Sequence, residues 1–467
     1  MTKFNPNNYK NLQDDSAMIQ AAIDEAAKTG ETVLIPRHNE RTNSEIWDIK
    51  RAIKLHSGSV VCLDNCHLRQ ADGMMENMFM NSNNETDFGY TREGRQYDIK
   101  VYGLGNAVLD GGVHNGLREH NHSRDGRPHI DHNSMFNFVN VERLAVDNVR
   151  IINHRYWGFV HHYCSHGRIS NIDFYVPLSG LNQDGINLRS GCSHFTIENI
   201  TGCTGDDTVA MTNLRNRHDE HFTACGYDTS IHNVIVRNIR SKTKYGIVRI
   251  LNHYGKKVFN IIIENIVEDC ESEYSNMPGY QPIHPEVDEL RVGAAVRIGG
   301  NAYCEDESLM ANIGDTYNVT VRSVMAQCRM AVKVDRALNG GVFEDLRMYG
   351  RGGTAVHFGE GRVENVVIKD VVYPMNLVTD ATDDNRSEGP WNGKTNLEII
   401  PDRELCAIYF KETKAKNIIV QNVIASDKLT SVFGGDGDAE VIAANIITQS
   451  DKTPINTGKD IKIKSSN

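Results

Sequence analysis

A chain of 467 residues, 39% hydrophobic and 24% charged, has the composition of an ordinary water-soluble globular protein. Its formal net charge of -11 argues against a general nucleic-acid or anionic-membrane binder, and no apolar run approaches the length of a membrane span. Met1 to Pro6 carry no apolar signal-peptide core, and the ten cysteines show no regular short spacing. Cys62 and Cys66 lack a matching second pair, so zinc is not expected there. Reduced, buried thiols in a cytoplasmic protein are the expectation.

In chain order, the first expected element is a helix over residues 14–29. Asp15-Ser16 precede the amphipathic run Ala17 to Lys28, and Gly30 lies just beyond it. Such a helix would plug the open end of a solenoid. After it a short phrase recurs, an alternating apolar strand followed by Asn or Asp and a second short strand. It appears at Val141–Val149, Phe195–Ile200, Val234–Ile239, Ile261–Ile266, Val366–Val371 and Ile418–Val423. Asn148, Asn171 and Asn199 are 23 and 28 residues apart, Asp345 and Asp370 are 25 apart, and Asn422 and Asn445 are 23 apart. Each step fits one coil of a right-handed parallel β-helix, an all-β fold in which turn asparagines stack and satisfy one another's hydrogen bonds. A β-sandwich also has many short strands, but its hairpin turns are too scarce here. One domain over 1–467 is expected. The step widens to 58 between Asn265 and Ser323 and to 52 between Asp370 and Asn422, which marks insertions around 271–312 and 375–404. Loops of that size commonly wall a binding groove.

A second column of strands aligns Trp157-Gly158-Phe159-Val160 with Asp184-Gly185-Ile186-Asn187 and Asp207-Thr208-Val209-Ala210. The third position is apolar and should face inward, the fourth outward. Asp184 and Asp207 share the first position of successive coils, which stacking sets about 4.8 Å apart, and Asp206 would face them from the turn. Neighbouring carboxylates push their pKa values apart, the condition that glycoside hydrolysis needs for one proton donor and one carboxylate acting on water. The simplest competing reading is that Asp-Gly and Gly-Asp are turn residues only. Continued into Tyr245-Gly246-Ile247-Val248, Ala294-Ala295-Val296-Arg297 and later coils, the column puts Arg297, Lys333 and His357 outward. They form either a basic ladder suited to an anionic sugar chain or a solvated charged face. His114, His120, His122, His129 and His132 crowd around Asp125 and Asp131, in a spacing that fits no metal motif, and read as a loop beside the groove. Tyr156, Trp157 and Tyr245 are either a sugar-stacking platform or core. The residues call for no metal and no organic cofactor.

These residues resemble the polygalacturonase family, pectin-degrading glycoside hydrolases that are right-handed parallel β-helices of the pectin-lyase-like type. Asn182-Gln183-Asp184-Gly185 is similar to the family's Asn-Thr-Asp-Gly, and Gly205-Asp206-Asp207 to its Gly-Asp-Asp. Arg127-Pro128, and Trp157 with His161, resemble its upstream Arg-Pro and Trp-His stretches, so that residues 100–270 carry the likeness. The resemblance implies hydrolysis with inversion, Asp206 acting as general acid while Asp184 and Asp207 hold and deprotonate the water. The substrate it implies is a uronate-containing, pectin-type poly- or oligosaccharide, and Asn182, His161, Asn187, Arg249, Lys256 and Arg297 are the expected contacts. Two departures stand out. The family's Gly-His-Gly is absent, with Asn213 to Ser230 in its place and His218 and His221 the nearest histidines. Its Arg-Ile-Lys is half matched by Arg249-Ile250-Leu251, with Lys256 and Lys257 as substitutes for the lysine. Alternation turns Arg249 inward, so a bulge is expected to expose it. The competing functions are a polysaccharide lyase or epimerase whose acids hold calcium, and a non-catalytic, tailspike-like β-helix that binds carbohydrate.

Overall fold

The structure, a computed structural model, describes residues 4–117, 130–176, 182–216, 218–243, 245–268, 293–299, 307–326, 330–349, 353–374 and 405–465. Among them 27 strands are assigned to parallel β-sheet, with α-helices at Asp15–Ala27 and Asp219–Ala224. The described chain falls into two compact units. The first holds the residues up to Ala210 and those from Arg215 to Ile235, and the second holds the others. Each is a stretch of parallel β-helix, and parallel pairing at every registered strand leaves no place for the sandwich. Among the described residues, no helix is long and apolar enough to cross a membrane.

The turn asparagines explain why the coil repeats. Asn148, Asn171 and Asn199 have φ of 55°, 56° and 57°, a left-handed conformation that asparagine tolerates better than most side chains. Asn199 Nδ2 donates to Asn171 Oδ1 at 3.0 Å, and Asn171 Nδ2 to Asp147 Oδ1 at 2.7 Å. In the second unit Asn422 donates to Asp370 and Asn445 to Asn422, each at 2.8 Å. In these coils a side-chain hydrogen bond therefore ties the sharp bend to the neighbouring coil. A second left-handed column is less regular, with Arg143, His166 and His194 at φ of 57°, 55° and 58°.

Inside the first unit the coils stack like on like. Phe79, Phe136 and Phe159 are register partners, with ring centroids 5.3 and 4.7 Å apart and nearly parallel planes. The helix Asp15–Ala27 packs Met18, Ile19, Ala22, Ile23 and Ala26 against the first coil, covering apolar surface that another coil would otherwise bury. Its cap is Asp14, one residue earlier than the sequence suggests. Asp14 Oδ1 accepts the Ala17 N–H at 2.9 Å and its other oxygen pairs with Arg51 at 2.8 Å. Asp15 is instead buried against Arg41.

The 58-residue step is a single enlarged coil, because Ile263 lies directly beside Val321. Its expected loop, 271–312, is not all loop. The strand Ala294–Gly299 runs through it and pairs with Gly246–Asn252 on one side and Met330–Met348 on the other. The rest of that segment up to 306, and all of 375–404, lie outside the described residues, as do Arg127-Pro128 and the side chains of His120, His122, Asp125, His129 and Asp131.

Candidate active site

The three acids come together at the turn that enters the strands Phe159–His162, Ile186–Leu188 and Val209–Asn213. Gly158 N–H donates to the Asp184 carbonyl and Gly185 N–H to the Asp207 carbonyl, both at 2.9 Å. These bonds stack Trp157, Asp184 and Asp207 in one row, coil upon coil. The two glycines are required by packing. A Cβ on Gly158 would lie 2.9 Å from the Phe174 ring, and one on Gly185 would lie 2.5 Å from the Thr208 carbonyl oxygen and 3.0 Å from the same ring. The second position of the row thus faces the core, which turns the first position, with its acids, outward.

Asp184, Asp206 and Asp207 are each less than a tenth exposed. Asp206 Oδ1 accepts the Asp207 N–H at 2.9 Å and its Oδ2 accepts the Asn182 N–H at 3.1 Å. Asn182 makes that donation from a left-handed turn, φ 59°. Asn187 Nδ2 donates to Asp184 Oδ2 at 2.9 Å, so Asn187 orients a site carboxylate. The carbonyl of Gln183 fastens the two acidic turns together. It accepts the Gly205 N–H at 3.1 Å and lies 3.2 Å from His154 Nε2, while Gln183 Nε2 donates to the His154 carbonyl at 2.6 Å.

His161 is not with them. Its side chain is wholly buried between Phe138, Phe159 and Phe195, and its Nδ1 meets the Asn187 carbonyl at 3.3 Å. Two residues after inward-facing Phe159, it points into the core, so the expectation that it contacts substrate is corrected. The outward histidine is His162, whose ring packs edge-on against His218 at 5.0 Å, with Tyr90 5.1 Å from His218. Burial lowers the pKa of both His154 and His161 to about 4 from 6.5. Unfolding returns each imidazole to its ordinary value, so the unfolded chain takes up protons first as the pH falls. The stability these neutral rings contribute is complete above pH 6.5 and is lost progressively down to about pH 4. The urea midpoint should fall across that window, with a shallower fall in His161→Phe. An unchanged slope in that variant would show that His161 does not titrate this way.

The remaining expected contacts belong to the second unit. Val248 pairs with Val296 and Arg249 with Arg297, a register one residue different from that read in the sequence. Arg249 therefore stands in the outward row with Arg297, Lys333 and His357, and no bulge is needed. Tyr409 continues the row, its ring stacked 5.4 Å from His357. The row is mixed in charge, since Lys333 pairs with Asp335 at 3.0 Å. Lys256 lies in the turn after Gly246–Asn252, where its carbonyl accepts from Asn252 Nδ2 at 2.8 Å. Tyr245 is partly buried just ahead of that strand.

Sequence reasoning missed Arg189. It follows Ile186–Leu188, and its guanidinium carbon lies 5.0 Å from the centre of the Trp157 ring. Trp157 is 8% exposed and also stacks on Tyr156 at 4.4 Å, so it offers little bare surface as a sugar platform. Only the outward alternation from Asn187 to Arg189 could have drawn attention to this cation.

No family model matches the sequence, and no curated protein matches it. Solved structures do resemble it. A tailspike protein variant of E. coli bacteriophage HK620 in complex with a pentasaccharide is 13% identical at TM-score 0.57, over 97% of this chain and 77% of the tailspike chain. The surface adhesin PfbA of Streptococcus pneumoniae is 14% identical at TM-score 0.51, over 98% and 93% of the two chains. A polygalacturonase from Erwinia carotovora ssp. carotovora is 14% identical at TM-score 0.45, over 97% and 94%. At such identities the likeness is one of fold, and the fold indicated by the tailspike and adhesin structures is the parallel β-helix.

Proposed function

We propose that this protein is a glycoside hydrolase that cleaves O-glycosidic bonds of a uronate-containing, pectin-type poly- or oligosaccharide with inversion. The observation that carries this reading is the grouping of Asp184, Asp206 and Asp207 on adjacent, outward-turned coils of one unit, with amide groups fixing two of the three carboxylates. Hydrolysis needs one carboxyl to give a proton to the leaving oxygen and another carboxylate to take one from water. Crowding favours that division, because like charges at close range resist full ionisation. In the roles that the family resemblance implies, Asp206 gives the proton. Asp184, steadied by Asn187, and Asp207 act on the water. The saccharide bound by the phage tailspike supports carbohydrate as the class of ligand, and the family resemblance supports an anionic one.

The test is reducing-end release from a panel of pectic and neutral poly- and oligosaccharides, with the anomer of the fresh product read by proton NMR. Cleavage of a pectic class with inversion is expected. Unsaturated products that absorb in the ultraviolet and vanish with EDTA would establish the lyase instead. Binding without any cleavage would establish the carbohydrate-binding protein.

A further inference from the structure

We propose that Arg189, seated on Trp157, is the residue by which the acid site selects an anionic sugar. This rests on the hydrolase reading and adds a determinant that lies in neither acidic motif. Arg189 stands two residues beyond Asn187, whose amide holds Asp184, and alternation puts both side chains on the outward face. Its side chain is half-buried. It lies over the ring of Trp157, the residue stacked beside Asp184 in the neighbouring coil, and so is carried back to the row of acids.

Two features separate this arginine from an ordinary surface cation. Its Nε is buried and has no hydrogen-bond acceptor among the described residues, although the three candidate site acids belong to the same unit. A buried N–H without an acceptor is costly, and a ligand oxyanion reaching it would offset that cost. In addition, Trp157 is nearly covered by its neighbours, so its role is that of a rest for the guanidinium and not a bare platform for a pyranose. Resting on an aromatic face holds the planar fork in a defined orientation, which suits two-point recognition of a carboxylate or a sulfate ester. The charge balance points the same way. A chain of net charge -11 with three acids at its site repels an anionic sugar unless a cation is fixed there.

The experiment is calorimetric binding to the full chain carrying Asp206→Asn, so that no substrate is consumed. The probes are trigalacturonate, the same trisaccharide with its carboxyl groups reduced to alcohols, and an O-sulfated neutral trisaccharide. At least one anionic probe should bind about tenfold or more tighter than the neutral one, with an affinity that falls as salt rises. Preference for trigalacturonate or for the sulfated sugar identifies carboxylate or sulfate as the group recognised. Adding Arg189→Met should bring the anionic and neutral probes to within about twofold, whereas Arg189→Lys should keep part of the preference. Should Arg189→Met fail to fold, judged by its thermal transition, Arg189→Gln replaces it. Equal binding of charged and neutral probes, no binding of any anionic probe, or an undiminished preference without the guanidinium would overturn the proposal. Failure of the hydrolase reading is separate, since it would show as no cleavage, or as unsaturated products, with the wild-type chain, whatever the binding preference.

Discussion

Asp206→Asn is expected to lower the rate of hydrolysis by about 10²- to 10⁴-fold, the usual contribution of a positioned general acid. The substitution keeps the shape of the side chain and removes only its capacity to give a proton. Its structural cost is small and calculable in kind. Both carboxylate oxygens of Asp206 accept backbone N–H groups, from Asp207 and Asn182. An amide has one oxygen, so one of those donors would face an NH₂ group instead, at a cost of about 1–2 kcal/mol. The variant should therefore fold, with a slightly lower thermal midpoint and a collapsed kcat. Wild-type turnover in a folded Asp206→Asn protein would remove this residue from the chemistry and leave the acids as turn residues.

Phe174→Ala should cost about 3–5 kcal/mol of stability, the range for emptying a fully buried phenylalanine site. The Phe174 ring occupies the space that Gly158 and Gly185 leave open, and meets His154 at 5.6 Å and Phe159 at 6.3 Å, centroid to centroid. It is the floor beneath the turn that presents Trp157 and Asp184. A void there would loosen the turn, so activity per folded molecule should fall as well. Urea denaturation gives the first quantity, and kcat measured well below the transition gives the second. Phe174→Leu, which refills most of the space, should recover much of both. A loss under about 1 kcal/mol for the alanine variant would mean that the turn is held by its hydrogen bonds alone.

The left-handed turn positions were legible because physics narrows the choice there. Asparagine tolerates positive φ and carries an amide that both gives and accepts, so it marks the bend at Asn148, Asn171 and Asn199. The parallel column was hidden in its first coils because Arg143, His166 and His194 replace the asparagine found there later, at Asn233, Asn260, Asn318, Asn365 and Asn417; His166 and His194 stack 4.7 Å apart. The row of acids was visible because the glycine or threonine that follows and the apolar residue after it repeat in step. Alternation from Phe159 alone would have turned His161 inward; the likeness to a Trp-His motif pulled the other way, and alternation prevailed. Arg249 shows the reverse. Aligning Tyr245 with Ala294 placed its coil one residue out of step, and a slip of one residue changes the face of every side chain. Alternation could have placed Arg189 outward but not on Trp157, a contact with the neighbouring coil that no spacing in the chain records.

The hydrogen bond from Gly185 N–H to the Asp207 carbonyl has a further consequence. It makes the vertical spacing of the acids independent of how many residues separate them. Coils of 23, 28, 52 and 58 residues all close onto their neighbours here, as Asn148 beside Asn171 and Ile263 beside Val321 illustrate. Residues can therefore be gained or lost at the rim of a coil without moving the carboxylates below. In the hydrolase we propose, what a sugar meets on its way in would be free to drift over evolutionary time, while the acids that await it stay in place.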